Sequence, residues 1–358
     1  MSATPRRYES FCQRFGLRVP VLLAPMAGAT PPPLSIAVMA AGGMGGCGAL
    51  LMEPAQIAAW AQAVRAGASG PFQMNLWIPD PPPPRDRAHE AAVGQFLSQW
   101  GPPIPDGAAE TTLPDFAAQC EALIAARPAA ISSIMGLYPT QTVRALHNRG
   151  IAWFATVTTV AEAKLAAAAG ADVIVAQGME AGGHRGCADA SLAEQHQVGL
   201  FALLPQVVDA VPVPVVATGG IADARGVAAA LLLGASAVQI GTGFLRSPQA
   251  AISTVWSQAL AGARPEDTQL TRAFSGRAGR GIANDYTRAA ARTDAPAPAP
   301  YPVQRGLTAP MRRAAAQAGD VSRMQLWAGQ GAALALAEPA GEIVRRLWAA
   351  ASELLGSA

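Results

Sequence analysis

Two patterns of apolar positions alternate along the chain. Short apolar runs rich in β-branched residues are separated by longer Ala-rich stretches with helical spacing, which is typical of successive βα units around a parallel sheet. The short runs predict eight strands: Val21–Ala24, Gly45–Ala49, Phe72–Leu76, Ala130–Ile134, Ala152–Thr156, Asp172–Ala176, Val215–Ala217 and Ala237–Ile240. The longer stretches predict seven crossover helices: Leu34–Ala41, Pro54–Ala66, Leu113–Ala126, Thr140–Asn148, Val160–Ala169, Val198–Ala210 and Ala222–Leu233.

Eight strands joined by seven crossovers favour a closed (β/α)8 TIM barrel within residues 1–246. An open doubly wound sheet is the alternative, but such sheets usually have fewer strands. From residue 247 onward the pattern is mostly helical. We therefore predict an α/β protein whose barrel is followed by a smaller, mostly helical domain at 247–358. That domain would cover the substrate, and part of it can return to the barrel.

Two Pro-rich segments interrupt the regular pattern. Residues 80–114 contain the runs Pro81–Pro84 and Gly101–Pro103 around a short predicted helix, Ala88–Trp100. This insertion follows the third strand on the face where barrel active sites form, so it either covers the pocket or elaborates the surface without a function. The second segment, Asp294–Pro302, is predicted to run extended over the surface.

Composition narrows the class of protein and its partners. The chain is 51% apolar and 14% charged, enough to bury a large core, and its formal charge of +2 gives no reason to expect nucleic acid or an anionic membrane as partner. Gly226–Leu245 lacks charged residues but divides into a helix, a turn and a strand, so we assign it to the barrel core and not to a membrane span. Met1–Arg7 is polar and lacks the apolar region of a signal peptide.

Cysteine usage indicates a reducing compartment. The four cysteines lack CxxC spacing and fit neither a disulfide framework nor a zinc site: Cys12, Cys47, Cys120 and Cys187. We therefore expect a cytoplasmic protein. For its oligomeric state we expect either a monomer or a homodimer.

A phosphate-binding signal follows the last two predicted strands. Pro214–Ile221 reads PVVATGGI, and Gln239–Leu245 reads QIGTGFL. In a barrel these loops follow strands seven and eight, where phosphate sites recur because glycine lets backbone N–H groups approach the anion. A single glycine turn would be weak evidence for a phosphate site. Two such turns after neighbouring strands of one barrel are stronger evidence. The predicted phosphate-binding residues are Gly219, Gly220, Gly241 and Thr242.

The loop after the sixth strand carries the candidate catalytic residue. Ala176–Gly186 reads AQGMEAGGHRG and surrounds His184 with glycines, which suits a backbone that must pass close to a ligand. Histidine titrates near neutral pH, the range needed to remove a proton from a carbon acid. A lone histidine is more often structural, but the flanking glycines argue against that here. The other three histidines, His89, His147 and His196, are predicted to lie on the surface. Neighbouring Cys187 could be a nucleophile, yet no base partner is evident, and a plain buried thiol is the simpler interpretation.

Other polar or small residues lie at strand ends. Ala24–Thr30 (APMAGAT) would let backbone lie against a flat ring. Asn75 and Gln177 end the third and sixth strands and could bind the pyrimidine edge of a flavin, although such residues are ordinary strand-end groups in most proteins. No GxGxxG opens a βαβ unit, and no metal-ligand spacing, GxSxG or P-loop is present, so we predict neither a Rossmann nicotinamide site nor a metal site.

Several motifs together resemble the nitronate monooxygenases, the family formerly called 2-nitropropane dioxygenase, over nearly the whole chain. The most specific are AQGMEAGGHRG and FSGRAGRGIAN at Phe274–Asn284. The others are APMAGAT, GGMGGCG at Gly42–Gly48, FQMNL, TVTT at Thr156–Thr159, the two phosphate loops, and LWAGQG at Leu326–Gly331. YPVQRGLT resembles the C-terminal region of the family and contains Tyr301 and Arg305, whose roles it leaves open.

The resemblance implies a TIM barrel with noncovalently bound FMN and a small helical domain that closes the pocket. It implies that His184 is catalytic and that these residues contact FMN: Met26, Asn75, Gln177, Gly183, Gly219, Gly220, Gly241 and Thr242. From the same motifs we add four cofactor-binding candidates: Ala24, Pro25, Gly182 and Gln239. The implied reaction is oxidation of an alkyl nitronate by O₂ to a carbonyl compound and nitrite, with propionate 3-nitronate as the suggested substrate.

Two alternative functions remain. An NAD(P)H-dependent quinone reductase or enoyl-acyl-carrier-protein reductase would share the FMN loops, so the phosphate signal does not separate them. The intact HRG loop and LWAGQG favour the monooxygenase. A noncatalytic flavin-binding or scaffolding protein on a degraded barrel is the other alternative, and the intact loop around His184 argues against it.

Overall fold

A closed barrel of eight parallel strands forms the body of the protein. The computed structural model describes residues 6–356, so the prediction for Met1–Arg7 falls almost wholly outside the described residues. The barrel strands, in chain order, are β1 Val21–Leu23, β2 Gly45–Gly48, β3 Phe72–Trp77, β4 Ala130–Ile134, β5 Ala152–Val157, β6 Val173–Gln177, β8 Val215–Thr218 and β9 Ala237–Ile240. The remaining short strand in this part of the chain is β7 Gly183–His184, outside the barrel.

The strand order is β1-β9-β8-β6-β5-β4-β3-β2, and β1 and β2 close the ring. The N–H of Leu23 donates to the carbonyl of Met44 at 2.9 Å, and the N–H of Met44 donates to that of Val21 at 3.0 Å. The predicted barrel is confirmed, and each predicted strand lies within two residues of an observed one. The strands are buried on both faces, which is why they appear in the sequence as continuous apolar runs.

Helices surround the barrel and fill the C-terminal part of the chain. The predicted crossovers correspond to α2 Pro32–Ala40, α3 Pro54–Gly67, α5 Phe116–Ala126, α6 Thr140–His147, α7 Val160–Ala168, α8 Leu200–Ala210 and α9 Ala224–Leu232. The others are α1 Arg7–Phe15, α4 Arg87–Leu97, α10 Thr254–Gly262, α11 Asp285–Ala290, α12 Val303–Leu307, α13 Ala309–Ala318 and α14 Ala340–Gly356. Within residues 6–356, no helix combines the length and apolarity needed to cross a membrane.

Two helices that the pattern did not assign complete the barrel. Phe11 of α1 packs in one cluster with Leu22 and Phe154, which point into the barrel interior. At the other end of the chain, α14 packs between α9 and α2. The buried face of α14 joins the main core through Ile343, Val344 and other apolar residues. This last helix therefore takes the eighth outer position of the barrel.

A small antiparallel sheet joins the C-terminal segment to the barrel loop that carries His184. Strands β10 Thr268–Thr271 and β11 Gly279–Ile282 pair with each other, and β11 also pairs with β7. The pairing sets His184 opposite Gly279. The sequence pattern did not predict these strands, because they are short and one is Gly-rich, and their partners are distant in the chain.

The Pro-rich insertion packs behind the C-terminal segment. Val93 and Leu97 of α4 contact a cluster that includes Phe274, Tyr286 and Val303. None of the described residues that line the central cavity comes from 80–114. The prediction that Asp294–Pro302 stays on the surface is wrong for its C-terminal end, where Ala299 is fully buried, because this end completes the same apolar cluster.

Candidate active site

A cavity of about 400 Å³ opens at the carboxyl ends of the barrel strands. Its walls come from the loops after the strands and from the C-terminal segment, and its size is within the range of cofactor and substrate sites. All thirteen predicted site residues line it: Ala24, Pro25, Met26, Asn75, Gln177, Gly182, Gly183, His184, Gly219, Gly220, Gln239, Gly241 and Thr242. The fold thus brings together residues that are up to 218 positions apart (242 − 24).

One end of the cavity presents unpaired backbone donors. The amides of Gly220, Gly241 and Thr242 have no hydrogen-bond acceptor within residues 6–356. Gly219 and Gly220 have φ values of 116° and 70°, a left-handed region that other residues rarely adopt. Unpaired amides beside a short 3-10 turn at Thr242–Phe244 form an environment suited to an anion such as a phosphate.

The glycine loops pack directly against the LWAGQG segment. A Cβ at Gly182 would lie 2.4 Å from the amide nitrogen of Gly329, and a Cβ at Gly331 would lie 2.8 Å from the carbonyl oxygen of Gly220. The hydroxyl of Thr242 accepts a hydrogen bond from the Gly329 amide at 3.0 Å, so its own proton is free to donate. These contacts hold the loops after β8 and β9 in place from the far end of the chain.

Three side-chain amides face the middle of the cavity, and they differ in which polar atom lacks a hydrogen bond within the protein. Nδ2 of Asn75 donates to the carbonyl and hydroxyl oxygens of Ser132, whereas its Oδ1 is unbonded and accessible. Oε1 of Gln239 accepts from Gln73 at 2.7 Å, which leaves its Nε2 free. Asn75 thus offers an acceptor and Gln239 a donor to a ligand.

The amide of Gln177 is engaged mainly with the histidine loop. Its Oε1 accepts from the amide of Gly186 at 2.8 Å, and its Nε2 donates to the carbonyl of His184 at 3.2 Å. Gln177 therefore fixes the loop geometry, and only its second N–H remains for a ligand.

The His184 ring packs against two indoles. Its centroid is 4.6 Å from that of Trp77 and 5.0 Å from that of Trp327, both in edge-to-face geometry. Its backbone is held by pairing with Gly279 of β11. These contacts fix the orientation of the ring at the cavity wall.

The hydrogen bonds around the His184 ring favour a proton on Nε2. Nε2 of His184 lies 2.8 Å from Oγ of Ser275, and that hydroxyl donates its proton to the carbonyl of Arg277 at 3.1 Å. With the hydroxyl proton directed to that carbonyl, Ser275 accepts from Nε2–H, and Nδ1 is left with a lone pair. Nδ1 makes no hydrogen bond within the described residues and remains accessible.

The surroundings keep the ring neutral. Burial lowers the pKa of His184 to about 3, and the positive charges of Arg277, Arg305 and Arg312 contribute to the shift. Arg277 is itself buried, forms an ion pair with Asp80 and donates to the carbonyl of Cys187. A neutral imidazole is the form that can accept a proton, and an anion beside it would raise its pKa again.

Comparison with known proteins identifies the family. The family model described as nitronate monooxygenase matches residues 10–350. The chain belongs to the nitronate monooxygenase family. Membership makes it an enzyme of the oxidoreductase class.

Named relatives and solved structures support the assignment to the nitronate monooxygenases. A nitronate monooxygenase of Pseudomonas aeruginosa is 37% identical and covers 95% of this chain and 98% of the relative. One from Paraburkholderia phytofirmans is 36% identical over 93% of this chain and 92% of the relative. The structure of a nitroalkane oxidase from Streptomyces ansochromogenes superposes with a TM-score of 0.89 at 34% identity, covering 97% and 99% of the two chains. FabK from Thermotoga maritima superposes with a TM-score of 0.72 at 26% identity, covering 97% of each chain.

The site of this nitronate monooxygenase family member includes residues that the sequence did not assign. Trp327 and Ser275 lay inside recognised motifs without a role, and Arg312 and Gln325 lay outside every motif. A Cβ at Gly279 would lie 2.9 Å from the Trp327 ring, so the glycine in that motif was a signal of close packing. Cys187 is a buried free thiol whose pKa is raised by burial, which disfavours a nucleophilic thiolate.

We expect the neutrality of His184 to make the protein less stable in acid. Below pH 6.5 the unfolded chain takes up a proton at this residue, whereas the folded chain does so only near pH 3, so the free energy of unfolding falls as pH drops through that window. On going from about pH 7 to about pH 4.5, the wild type should lose at least about 2 °C more in Tm than His184→Asn. Equal losses, measured by circular dichroism, would show that the ring protonates normally.

Proposed function

We propose that this protein uses FMN to oxidise alkyl nitronates with O₂, giving a carbonyl compound and nitrite. Propionate 3-nitronate is an example of such a substrate. The observation that carries the proposal is the neutral His184, whose accessible Nδ1 faces a cavity large enough for a cofactor and a small substrate. The names of the relatives, nitronate monooxygenase and nitroalkane oxidase, support the substrate class.

The residues that line the cavity fit FMN. The unpaired amides of Gly220, Gly241 and Thr242 would hold the phosphate, because together they offer three neutral donors at one point. The acceptor of Asn75 and the donor of Gln239 would pair with the alternating N–H and carbonyl groups of the pyrimidine edge. The segment Ala24–Met26 and the glycines Gly182 and Gly183 line the cavity and would lie against the ring system.

The chemistry that FMN supplies when bound is the acceptance of electrons from the nitronate and their transfer to O₂. The protein supplies position and proton transfer. Nδ1 of His184 would remove the α-proton of a neutral nitroalkane, while Ser275 holds the opposite nitrogen and so fixes the tautomer. The positive charges of Arg277 and Arg312 near the ring would stabilise the nitronate anion that this step creates.

We also propose that residues 247–358, apart from the barrel helix α14, form the cover over the substrate. Support comes from the cavity wall, part of which is built from this segment: Trp256, Ser275, Tyr301, Arg305, Arg312, Gln325, Trp327, Gly329 and Gly331. Because Trp77 and Trp327 flank His184, this cover would also exclude bulk water from the proton-transfer step.

The decisive experiment is an anaerobic absorbance titration of the purified yellow protein with propionate 3-nitronate, NADH and NADPH in parallel. We expect the nitronate to reduce the flavin and nitrite to appear once air is admitted. Bleaching by a nicotinamide alone would instead place the protein among the reductases. A protein without bound flavin, and not reconstituted by FMN, would contradict the cofactor assignment.

A further inference from the structure

The cavity wall near His184 carries positive charge without any acidic partner. Arg305 of α12 and Arg312 of α13 both line the cavity, and no Asp or Glu among the described residues does. Tyr301, just before α12, lies 5.4 Å from Trp77, which itself contacts His184. These contacts place the start of α12 near the histidine end of the cavity.

The guanidinium of Arg305 is unpaired. It makes no hydrogen bond or ion pair within residues 6–356, and its nitrogens are accessible. A half-buried cation without a counter-ion is costly, so such a residue is usually found where an anionic ligand completes the site. The guanidinium offers two parallel N–H groups, the geometry that carboxylates accept best.

Arg312 holds Arg305 in position and adds a second charge. Its Nη2 donates to the backbone carbonyl of Arg305 at 2.8 Å, its Nε to Thr308 at 3.1 Å, and its Nη1 to Gln325 at 3.3 Å. All three acceptors are neutral. Burial and the nearby Arg305 lower the pKa of Arg312 to about 10, so it stays charged at neutral pH.

The phosphate of the cofactor does not account for these charges. It would be bound by the neutral amides after β8 and β9, whereas the charge of Arg305 acts on His184 and Tyr301. A nitronate brings one negative charge to this region. Two arginines without an acid therefore match a substrate with two negative charges.

We propose that Arg305 binds a carboxylate at the end of the substrate remote from the nitronate, and so determines specificity for nitronates with a second negative charge. This inference rests on the proposed function. Arg305 is a specificity residue in this scheme and takes no part in proton transfer, which His184 performs.

The kinetic test compares propionate 3-nitronate with propyl-1-nitronate, in which a methyl group replaces the carboxylate. In Arg305→Met we expect kcat/KM for propionate 3-nitronate to fall about 10- to 100-fold, mainly through KM, as for the loss of a hydrogen bond to a charged group. Activity with propyl-1-nitronate should change by less than about twofold. Arg305→Lys, which retains the charge without the paired N–H groups, should recover part of the preference.

The control is Arg313→Met, which removes an exposed charge from the same helix as Arg312 and does not line the cavity. It should leave the preference for the carboxylate unchanged. Because Arg305 has no partner to lose, Arg305→Met should keep the wild-type Tm, which checks folding.

A binding measurement separates this inference from the proposed function. Succinate has nearly the shape and both charges of propionate 3-nitronate but is not a nitronate, and butyrate lacks one charge. Isothermal titration of the holoenzyme should show tighter binding of succinate than of butyrate, and Arg305→Met should abolish the difference. If nitronates are not oxidised but this difference is found, the proposed function fails and the anion site stands. If nitronates are oxidised and Arg305→Met changes neither selectivity nor succinate binding, the inference is overturned and the function stands.

Discussion

Replacing His184 with Asn should slow turnover of neutral nitroalkanes by about two to four orders of magnitude, the usual range for loss of a general base. The physical reason is the loss of the lone pair on Nδ1, which the Ser275 hydrogen bond keeps available in the wild type. Preformed nitronates carry no proton to remove, so their oxidation should fall much less. FMN should remain bound, because the proposed phosphate and pyrimidine contacts lie on other residues.

The measurement is kcat/KM for a nitroalkane and for its nitronate, with flavin content determined from absorbance. His147→Asn is a matched control, since His147 is exposed on α6 and bonds only to Asp172 outside the cavity. Unchanged nitroalkane rates in His184→Asn would remove His184 from proton transfer. Equal losses with both substrates would assign it to substrate binding instead.

Replacing Gly220 with Leu should abolish tight FMN binding, with an affinity loss of about 100-fold or more from disrupted phosphate hydrogen bonds. Gly220 has φ of 70°, which a leucine adopts only with strain, and its Cβ would lie 3.2 Å from Cβ of Glu180. Either the backbone shifts or the side chain enters the space of the phosphate. In both cases the Gly220 amide no longer points at the anion.

Flavin occupancy of the purified protein and an FMN titration of the apoprotein measure this effect. Gly262→Leu is the matched control, because Gly262 is exposed on α10 and a Cβ there meets nothing within 4 Å. Since strain at Gly220 could act through folding, Gly241→Ala provides a second test. Its Cβ would make ordinary 3.4 Å contacts with Ala24 and Met26, so the apoprotein should keep its Tm while FMN binds more weakly. Stoichiometric flavin in both variants would show that the phosphate lies elsewhere.

The sequence by itself determined the barrel and the location of the cavity. A parallel sheet buried on both faces produces continuous apolar runs, and its crossovers produce helical stretches between them. The number of strands and their positions along the chain can therefore be recognised from local sequence patterns. Glycines at the ends of β8 and β9 and around His184 marked where the backbone would approach a ligand, because a side chain there would either strain the backbone or occupy the space of the ligand. Every residue proposed on these grounds lines the cavity.

Only the tertiary structure decided what surrounds the histidine. Ser275 bonds to its Nε2 and Trp327 packs on its ring. In the sequence these residues lie 91 (275 − 184) and 143 (327 − 184) positions after His184. The strand β11 that brings them there pairs with a two-residue strand, which leaves no periodicity to recognise. The lack of an acidic partner for Arg305 and Arg312 is likewise a property of the assembled cavity. Local patterns encode elements, whereas charge balance, tautomer and packing depend on which distant segments meet.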